Sequence, residues 1–404
     1  MIHYMTTQGV ADVWVASELR ALKKSKIPFV LNALRRPEDT YFTADDIVQL
    51  NAETQVIYPP SKAAVLIAFA LAPFRFPRGF FPALWNALAG PRETFRTRLV
   101  VFWHLMLACH WVSRPRPCTP THIHSQWIHS AGSVAMYSAW LLGVTFSFTG
   151  HAADLFRNRQ ALHDKIKRAK FIICISEFHR QFYLDNGASP DQLHIVYCGI
   201  NLSHFTPATR VRAADAPFHI ISTGRLVEKK GFDTLIRACG VLRDRGVDFT
   251  CTIGGNGPLE ESLRAQLRAA DLTDHVTLTG QAISQEDLPT FMAAGDLFVL
   301  YCVWAKDNDV DGLPQMLMEA MACGLPAIST RLVGIPDLVV HKETGLLVDA
   351  DGDADALADI IVRLMQDPAL STRLTQQAQI HLQDKFNLDT CVMPLLQQYN
   401  KLVV

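Results

Sequence analysis

The sequence has no excess of charge of either sign. Its 404 residues contain 38 lysines and arginines against 39 aspartates and glutamates, which gives a formal net charge of -1. Proteins that attract nucleic acid through their overall field carry a clear positive excess. We therefore expect no nucleic-acid partner, and any attraction to anions must be local.

Paired cysteines, a secretion signal and a membrane-spanning run are missing too. The nine cysteines are scattered without a C-x-x-C pair, which is typical of reduced thiols in a cytosolic protein. The first residues lack the basic start, the apolar stretch and the small-residue cleavage site of a signal peptide. The most membrane-like run, residues 63–74, falls well short of the roughly 20 apolar residues that cross a bilayer. A cytoplasmic protein is expected.

Metal-binding patterns are incomplete. Asp307, Asp309, Asp311 and Gly312 match the first half of a calcium loop, but Met318 replaces the glutamate that such a loop requires. The histidine-rich run of the first half lacks the spacing of a zinc site. Its members are His122, His124, His129 and His151. No metal and no cofactor is expected, and Asp307 and Asp309 are expected to be solvated loop carboxylates.

Arginines alternate with phenylalanine and tryptophan from Arg75 to Trp103. A helix of this kind can lie in a lipid headgroup layer, but arginine stems can equally cover a core face of a helical subdomain. The subdomain is favoured. Peripheral contact with the inner face of a membrane through Arg75–Trp103 is the alternative.

Short β-rich runs alternate with amphipathic helical runs for most of the length, which predicts parallel sheets built from βαβ units. A first strand starts almost at residue one, and the other predicted strands lie within residues 28–34, 121–127, 145–151, 171–176, 193–199, 218–224, 249–255, 275–280, 297–301, 326–331 and 344–349. The fold class is α/β, with two doubly wound, Rossmann-like domains. Such sheets bind ligands at the carboxyl ends of their strands, so we expect a cleft between the domains.

Gly199–Pro217 carries proline, alanine and scattered charge without a sustained period, and we place the interdomain linker there. The predicted N-terminal domain covers residues 1–200. The predicted C-terminal domain covers residues 201–385, and the helix at about 386–404 packs back on the first domain.

A basic strand-to-helix turn follows the run that ends at Gly224. Arg225 and Lys230 flank this turn, and a helix opens near Gly231. Helix N-termini in doubly wound sheets attract phosphate, and two cations there can neutralise a leaving diphosphate. The other interpretation is an ordinary exposed basic turn.

A second turn of this type contains Gly255, Gly257 and Pro258. It lacks the third glycine of a dinucleotide fingerprint, which disfavours a nicotinamide site. Glycines still let the backbone approach a nucleotide closely.

The acidic stretch leads into a helix from about Leu313, with Pro314 in its first turn and Gly324 at its end. Glu319 lies at the edge of the apolar stripe of this helix, and Asp311 lies in the loop before it. Both carboxylates can accept hydrogen bonds from sugar hydroxyls. A solvated glutamate is the other interpretation of Glu319.

Four motifs together resemble one family. "TGRLVEKKGFDTLIRA", "IGGNGPLEESLRAQL", "DGLPQMLMEAMACGLPAIST" and "GIPDLVVHKETGLLV", in this order and spacing, resemble the retaining nucleotide-sugar glycosyltransferases of family four, which have the GT-B fold. The likeness is strongest from about Ile220 to Val348, and the first half most resembles enzymes of bacterial exopolysaccharide assembly.

The resemblance implies that the N-terminal domain binds the acceptor and the C-terminal domain binds the nucleotide-sugar donor. Glu319 matches the second carboxylate of the family's E-x7-E pair and would hold the ribose hydroxyls. Asp311 takes the place of the first glutamate, near the donor sugar, but is one methylene shorter. Arg225 and Lys230 match the diphosphate pair. The turns that approach the nucleotide and the sugar are matched by Gly255, Gly257, Pro258, Gly312, Leu313 and Pro314.

In the first half, the resemblance assigns His151, at the end of a strand, to the donor sugar or to the charge that develops there. His124 and Gly9 are weaker acceptor-side candidates, and Glu18 matches a family position without an assigned role.

The function implied is that of a metal-independent, retaining hexosyltransferase. It would move a sugar from a nucleotide diphosphate, with UDP favoured over GDP, to a hydroxyl of a glycan or lipid-linked acceptor in bacterial cell-surface polysaccharide or glycolipid synthesis. Two alternatives stay open: a sugar-nucleotide epimerase or hydrolase on the same fold, and a non-catalytic sugar-nucleotide or glycan-binding protein.

Overall fold

A computed structural model describes residues 1–36, 44–157, 159–207 and 216–403. Internal packing divides the chain into two units. Unit 1 contains Met1–Tyr197 and Val392–Val404, and unit 2 contains Cys198–Cys391. The boundaries thus fall after Tyr197 and Cys391, a few residues from the predicted positions. Residues 208–215 of the predicted linker lie outside the described residues.

Unit 1 is built on a parallel sheet of seven strands in the order β3-β2-β1-β4-β5-β6-β7. The strands are β1 (Ile2–Thr6), β2 (Phe29–Ala33), β3 (Gln55–Val56), β4 (His122–Gln126), β5 (Thr145–Thr149), β6 (Phe171–Cys174) and β7 (Leu193–Ile195). The helices are α1 (Val13–Lys24), α2 (Asp45–Glu53), α3 (Lys62–Arg75), α4 (Pro77–Ala89), α5 (Phe95–Ser113), α6 (Ser130–Leu142), α7 (Leu162–Arg168) and α8 (Glu177–Asp185).

Unit 2 repeats this plan with a parallel sheet of six strands in the order β10-β9-β8-β11-β12-β13. Its strands are β8 (Phe218–Thr223), β9 (Phe249–Gly254), β10 (Val276–Leu278), β11 (Leu297–Leu300), β12 (Ala327–Thr330) and β13 (Leu346–Val348). Its helices are α9 (Phe232–Asp244), α10 (Glu260–Ala269), α11 (Leu288–Ala294), α12 (Gln315–Ala322), α13 (Ile335–Leu338), α14 (Ala354–Gln366), α15 (Pro368–His381) and α16 (Leu388–Cys391).

The α/β class and the two doubly wound sheets predicted from the sequence are confirmed. Each predicted run contains an observed strand. The two-residue strand β3 was not predicted, because Gln55 and Val56 are too few and too polar to form an apolar run.

The last helix, α17 (Met393–Val403), belongs to unit 1. Leu395 and Tyr399 are fully buried in the same apolar cluster as Tyr4 of β1. The Tyr399 hydroxyl donates to the Tyr4 hydroxyl at 2.8 Å, and Tyr4 in turn donates to the carboxyl of Glu18 on α1. The end of the chain is therefore part of the core of unit 1.

This role of α17 predicts the effect of truncating Leu395. Leu395→Ala should lower the stability of unit 1 by about 2–5 kcal/mol, since it removes a fully buried side chain. Urea unfolding followed by tryptophan fluorescence measures it, because six of the seven tryptophans precede residue 198. Met393→Ala, at a site that is 47% exposed, is the matched control, and equal effects of both changes would contradict the packing.

Candidate active site

The candidate site of unit 2 lies where the strand order reverses. β8 has β9 on one side and β11 on the other, and a parallel sheet with this order leaves a crevice beyond the carboxyl ends of the two diverging strands. The loop after β8 holds Arg225 to Gly231, and the loop after β11 holds Tyr301 to Pro314. The amide of Val303 donates to the carbonyl of Lys229 at 3.0 Å, so the two loops are in direct contact.

Gly231 makes this close approach feasible. Its φ is +61°, and a Cβ atom there would lie 1.8 Å from the carbonyl oxygen of Tyr301. No side chain fits in that space, and the left-handed backbone also favours glycine. Helix α9 begins one residue later, at Phe232.

The second glycine turn packs against the first. The amide of Leu226 donates to the carbonyl of Asn256 at 2.8 Å. Gly257 has φ +155°, and a Cβ there would lie 2.6 Å from the carbonyl oxygen of Leu226. Gly255, Gly257 and Pro258 thus lie in a turn between β9 and α10, as predicted from the sequence, and this turn lies beside the basic turn.

The two predicted cations have different surroundings. Arg225 is exposed and forms no ion pair with any residue that the structure describes. Lys230 is only 13% exposed, and its Nζ lies 2.5 Å from Oδ2 of Asp311. Burial lowers the pKa of Lys230, but Asp311, Cys302 and Asp309 together outweigh burial, so the net pKa is raised. Lys230 is therefore a charged ammonium group that pairs with the Asp311 carboxylate.

Asp311 receives a second cation that sequence reasoning missed. Nζ of Lys229 lies 3.1 Å from Oδ1 of Asp311 and 3.3 Å from Oδ1 of Asp309. Burial raises the pKa of Asp311, yet Lys230 and Lys229 outweigh it and the net pKa is lowered. Asp309 is thus an ion-pair partner, which corrects the expectation of a solvated loop carboxylate. Asp307 is exposed, as expected.

Glu319 lies in the middle of α12 rather than at a solvated edge. It is 5% exposed, and one carboxyl oxygen, Oε2, is buried without a hydrogen-bond partner among the described residues. Burial raises its pKa to about 7, against the lowering effects of a hydrogen bond from Gln285 and of the charge on Lys230. Sequence reasoning also missed Gln285, which comes from the exposed loop before α11.

The residues between the two carboxylates form a turn that leads into α12. The amide of Gly334 donates to the carbonyl of Gly312 at 2.9 Å. Leu313 is 9% exposed. Pro314 has a φ of -68° and directly precedes Gln315, the first residue of α12. This turn holds Asp311 and Glu319 on two sides of one loop-to-helix junction.

His151 lies in unit 1, two residues after β5. It is 6% exposed, and its Nε2 lies 3.1 Å from the amide oxygen of Gln126, so Nε2 donates this bond. The rings of Trp127 and Trp14 lie 4.7 and 5.3 Å away. Burial lowers the pKa of His151 to about 3. It is a neutral imidazole with a fixed tautomer.

The other two candidates of unit 1 differ. Gly9 has φ +61° in the turn after β1, which is a glycine conformation. His124 does not line an accessible surface: it is fully buried, and its ring nitrogens bond Ser147 at 2.8 Å and Thr149 at 3.2 Å. The acceptor-side expectation for His124 is therefore corrected, because strand β4 is covered on this face by α17.

Among the residues that the structure describes, no three histidine, cysteine, aspartate or glutamate side chains are grouped as metal ligands. His122 and His124 are instead engaged with the hydroxyls of β5, since both nitrogens of His122 also bond Thr145 and Ser147, each at 2.7 Å.

Part of the chain is similar to known protein sequences. Residues 209–381 match the family model described as Glycosyl transferases group 1. The amylovoran biosynthesis glycosyltransferase AmsK of Erwinia amylovora is 34% identical over 244 residues, 59% of each chain. A GDP-mannose-dependent alpha-(1-6)-phosphatidylinositol monomannoside mannosyltransferase of Mycolicibacterium smegmatis is 32% identical over 219 residues, which are 52% of this chain and 56% of that protein.

A solved structure shares the whole fold. Anabaena Alr3699/HepE in complex with UDP superimposes with a TM-score of 0.70 over 99% of each chain, at 14% identity. The GT-B fold class is thereby confirmed. The region 209–381 belongs to the group 1 glycosyl transferases, as the four motifs indicated. The chain spans about three-fifths or less of the length of the curated relatives named above.

The raised pKa of Glu319 predicts a pH-dependent stability. Folding raises its pKa from 4.5 to about 7, so the folded state favours the protonated form. The stabilisation is complete below pH 4.5 and is lost as the pH rises through about 7, by at most about 3 kcal/mol. Glu319→Gln, which keeps the shape without the charge, should therefore melt above the natural protein at pH 8, with a smaller difference at pH 5.

Differential scanning calorimetry at the two pH values measures this effect. Glu343→Gln, at an exposed position, is the control and should show no such pH dependence. Equal melting shifts of Glu319→Gln at pH 5 and pH 8 would contradict a Glu319 pKa raised by burial.

Proposed function

We propose that the chain is a retaining, metal-independent glycosyltransferase. It moves a hexose from a nucleotide-diphosphate donor to a hydroxyl of a glycan or lipid-linked acceptor in bacterial cell-surface polysaccharide or glycolipid synthesis. The name of the AmsK relative supports the polysaccharide context. The observation that carries the proposal is the pairing of a buried, unpartnered Glu319 oxygen with the cationic turn at the strand-order reversal.

Glu319 and the cationic turn suit different parts of a nucleotide-sugar, the first its hydroxyl groups and the second its diphosphate. A buried acceptor without a partner costs about 1–3 kcal/mol, and a ligand hydroxyl that donates to Glu319 Oε2 removes that cost. Lys230 and the exposed Arg225 offer positive charge to a diphosphate. The glycines at 255 and 257 let the turn after β9 pack against the basic turn, and a nucleotide would bind beside these two turns.

The same charges suit the reaction. As the bond between the sugar and the diphosphate breaks, negative charge grows on the leaving phosphate oxygens, and a fixed cation lowers the barrier. Lys230 supplies this cation, while Lys229 continues to neutralise Asp311. The acceptor hydroxyl attacks from the face that the diphosphate leaves, and a phosphate oxygen takes its proton. No side chain needs to form a covalent intermediate.

His151 is proposed to act next to the donor sugar as a neutral hydrogen-bonding group. Since Nε2 donates to Gln126, Nδ1 carries the lone pair. Its low pKa keeps the imidazole uncharged at neutral pH. A cytoplasmic site of action stays a prediction.

Replacing Lys230 tests the role of the cation. Lys230→Ala should reduce the rate of transfer by roughly 10²–10³-fold, the typical loss when one charge-stabilising group is removed, while the chain stays folded. Release of nucleoside diphosphate with and without an acceptor extract measures the rate. Lys385→Ala, at an exposed lysine of unit 2, is the matched control. Full activity of Lys230→Ala would contradict the proposal.

The dependence on acceptor separates the alternatives. A transferase releases nucleoside diphosphate faster when an acceptor is added, whereas an epimerase or hydrolase does not need one. A binding protein would show neither reaction.

A thermal-shift screen identifies the donor. UDP-sugars and GDP-sugars should raise the melting temperature in proportion to affinity, with about 2.7 kcal/mol of stabilisation at a hundred times the Kd. UDP is favoured, and both bases are tested because the two comparisons with printed nucleotides name UDP and GDP-mannose. Glu319→Ala should lose the shift.

A further inference from the structure

Three helices of unit 1, α3 to α5, expose an unusual amount of apolar surface. Nine large apolar side chains that are more than a third exposed lie between Leu66 and Leu99. The remaining six of this kind in the described residues are scattered along the chain. The nine are Leu66, Ile67, Leu71, Phe74, Phe81, Trp85, Leu88, Phe95 and Leu99.

The exposure follows the helical period. On α4, Phe81, Trp85 and Leu88 lie on one stripe and are 58%, 73% and 53% exposed. The opposite stripe is buried and contains Phe80 and Ala83. The helix is therefore packed on its inner face and apolar on its outer face.

The neighbouring helices continue this surface. Phe74 near the end of α3 is 82% exposed, and Phe95 at the start of α5 is 75% exposed. Val65, Ala68 and Ala72 form the buried face of α3. Soluble monomers rarely leave several aromatic rings of one surface in water, and such patches mark interaction sites.

The charges around this surface have one sign. Lys62, Arg75, Arg78 and Arg96 are exposed, while Glu93 is the only acidic residue between residues 62 and 113. The two oxygens of Glu93 accept hydrogen bonds from the amides of residues 161 and 162, at 3.0 and 3.1 Å. The surface therefore presents cations to its surroundings.

We propose that this surface, the interfacial surface formed by the nine apolar side chains and the four cations, binds the headgroup layer of an anionic lipid bilayer. No described helix is long and apolar enough to cross a membrane. Helices with an apolar face bordered by lysine and arginine instead lie in the interface, where aromatic rings enter the acyl boundary and cations contact anionic headgroups.

Charge argues against a second copy of the chain as the occupant. A twofold dimer through this surface would bring the same patch of both copies together. Exposed arginines would then face arginines across the contact, and like charges at an interface oppose association. A lipid layer with negative headgroups satisfies the same charges.

The inference stands apart from the proposed reaction, so its test uses vesicles without donor or acceptor. The full chain should sediment with vesicles of phosphatidylcholine and phosphatidylglycerol, less with phosphatidylcholine alone, and less at high salt. Arg75→Ala and Arg78→Ala should each weaken binding to the anionic vesicles roughly fivefold. The double change Phe81→Ser and Trp85→Ser should abolish it.

Matched controls keep the test specific. Ile380→Ser, 63% exposed on α15, and Arg237→Ala, exposed on α9, should bind vesicles like the natural chain. Circular dichroism confirms that the Phe81/Trp85 variant is folded. Equal binding of this variant and the natural chain overturns the proposal. So does a natural chain that ignores anionic vesicles but self-associates with rising concentration and loses that association in the variant.

Discussion

The ion pair between Lys230 and Asp311 is the constraint on which the site of unit 2 depends. Its two partners come from loops that follow different strands, and both side chains are less than 15% exposed. Breaking such a pair leaves a charge away from water, which costs several kcal/mol. The loops after β8 and β11 are therefore held together by charge as well as by the contact that Gly231 permits.

Lys229 changes what this pair can do. Because Asp311 is paired with two lysines, one lysine can bind a ligand anion while the other still neutralises the Asp311 carboxylate. A single lysine would have to give up its ion pair with Asp311 in order to bind a ligand phosphate. The shorter aspartate at position 311 thus belongs to a local charge balance of two lysines and two aspartates, Asp309 included.

Most of the framework could be predicted from local patterns. Apolar runs located the strands because parallel strands are buried on both faces, and glycine with basic residues marked the turns after β8 and β9. Lys229 was missed because the family motif is matched by Lys230 alone, and the sequence does not show that both adjacent lysines reach the same aspartate. Gln285 reaches Glu319 across 34 positions of chain, and no periodic pattern encodes such a contact. His124 was misplaced for the same reason, since its covering partner Tyr399 lies at the other end of the chain.

The unpartnered oxygen of Glu319 makes the site prefer ligands that can donate a hydrogen bond to it. An acceptor already removed from water gains nothing from a ligand that cannot donate to it, whereas a hydroxyl relieves its cost at once. Sites of this kind reject analogues that lack the hydroxyl far more strongly than they distinguish apolar groups of similar size. In the proposed reaction, this oxygen of Glu319 would be the group that distinguishes a ribonucleotide from its deoxy counterpart.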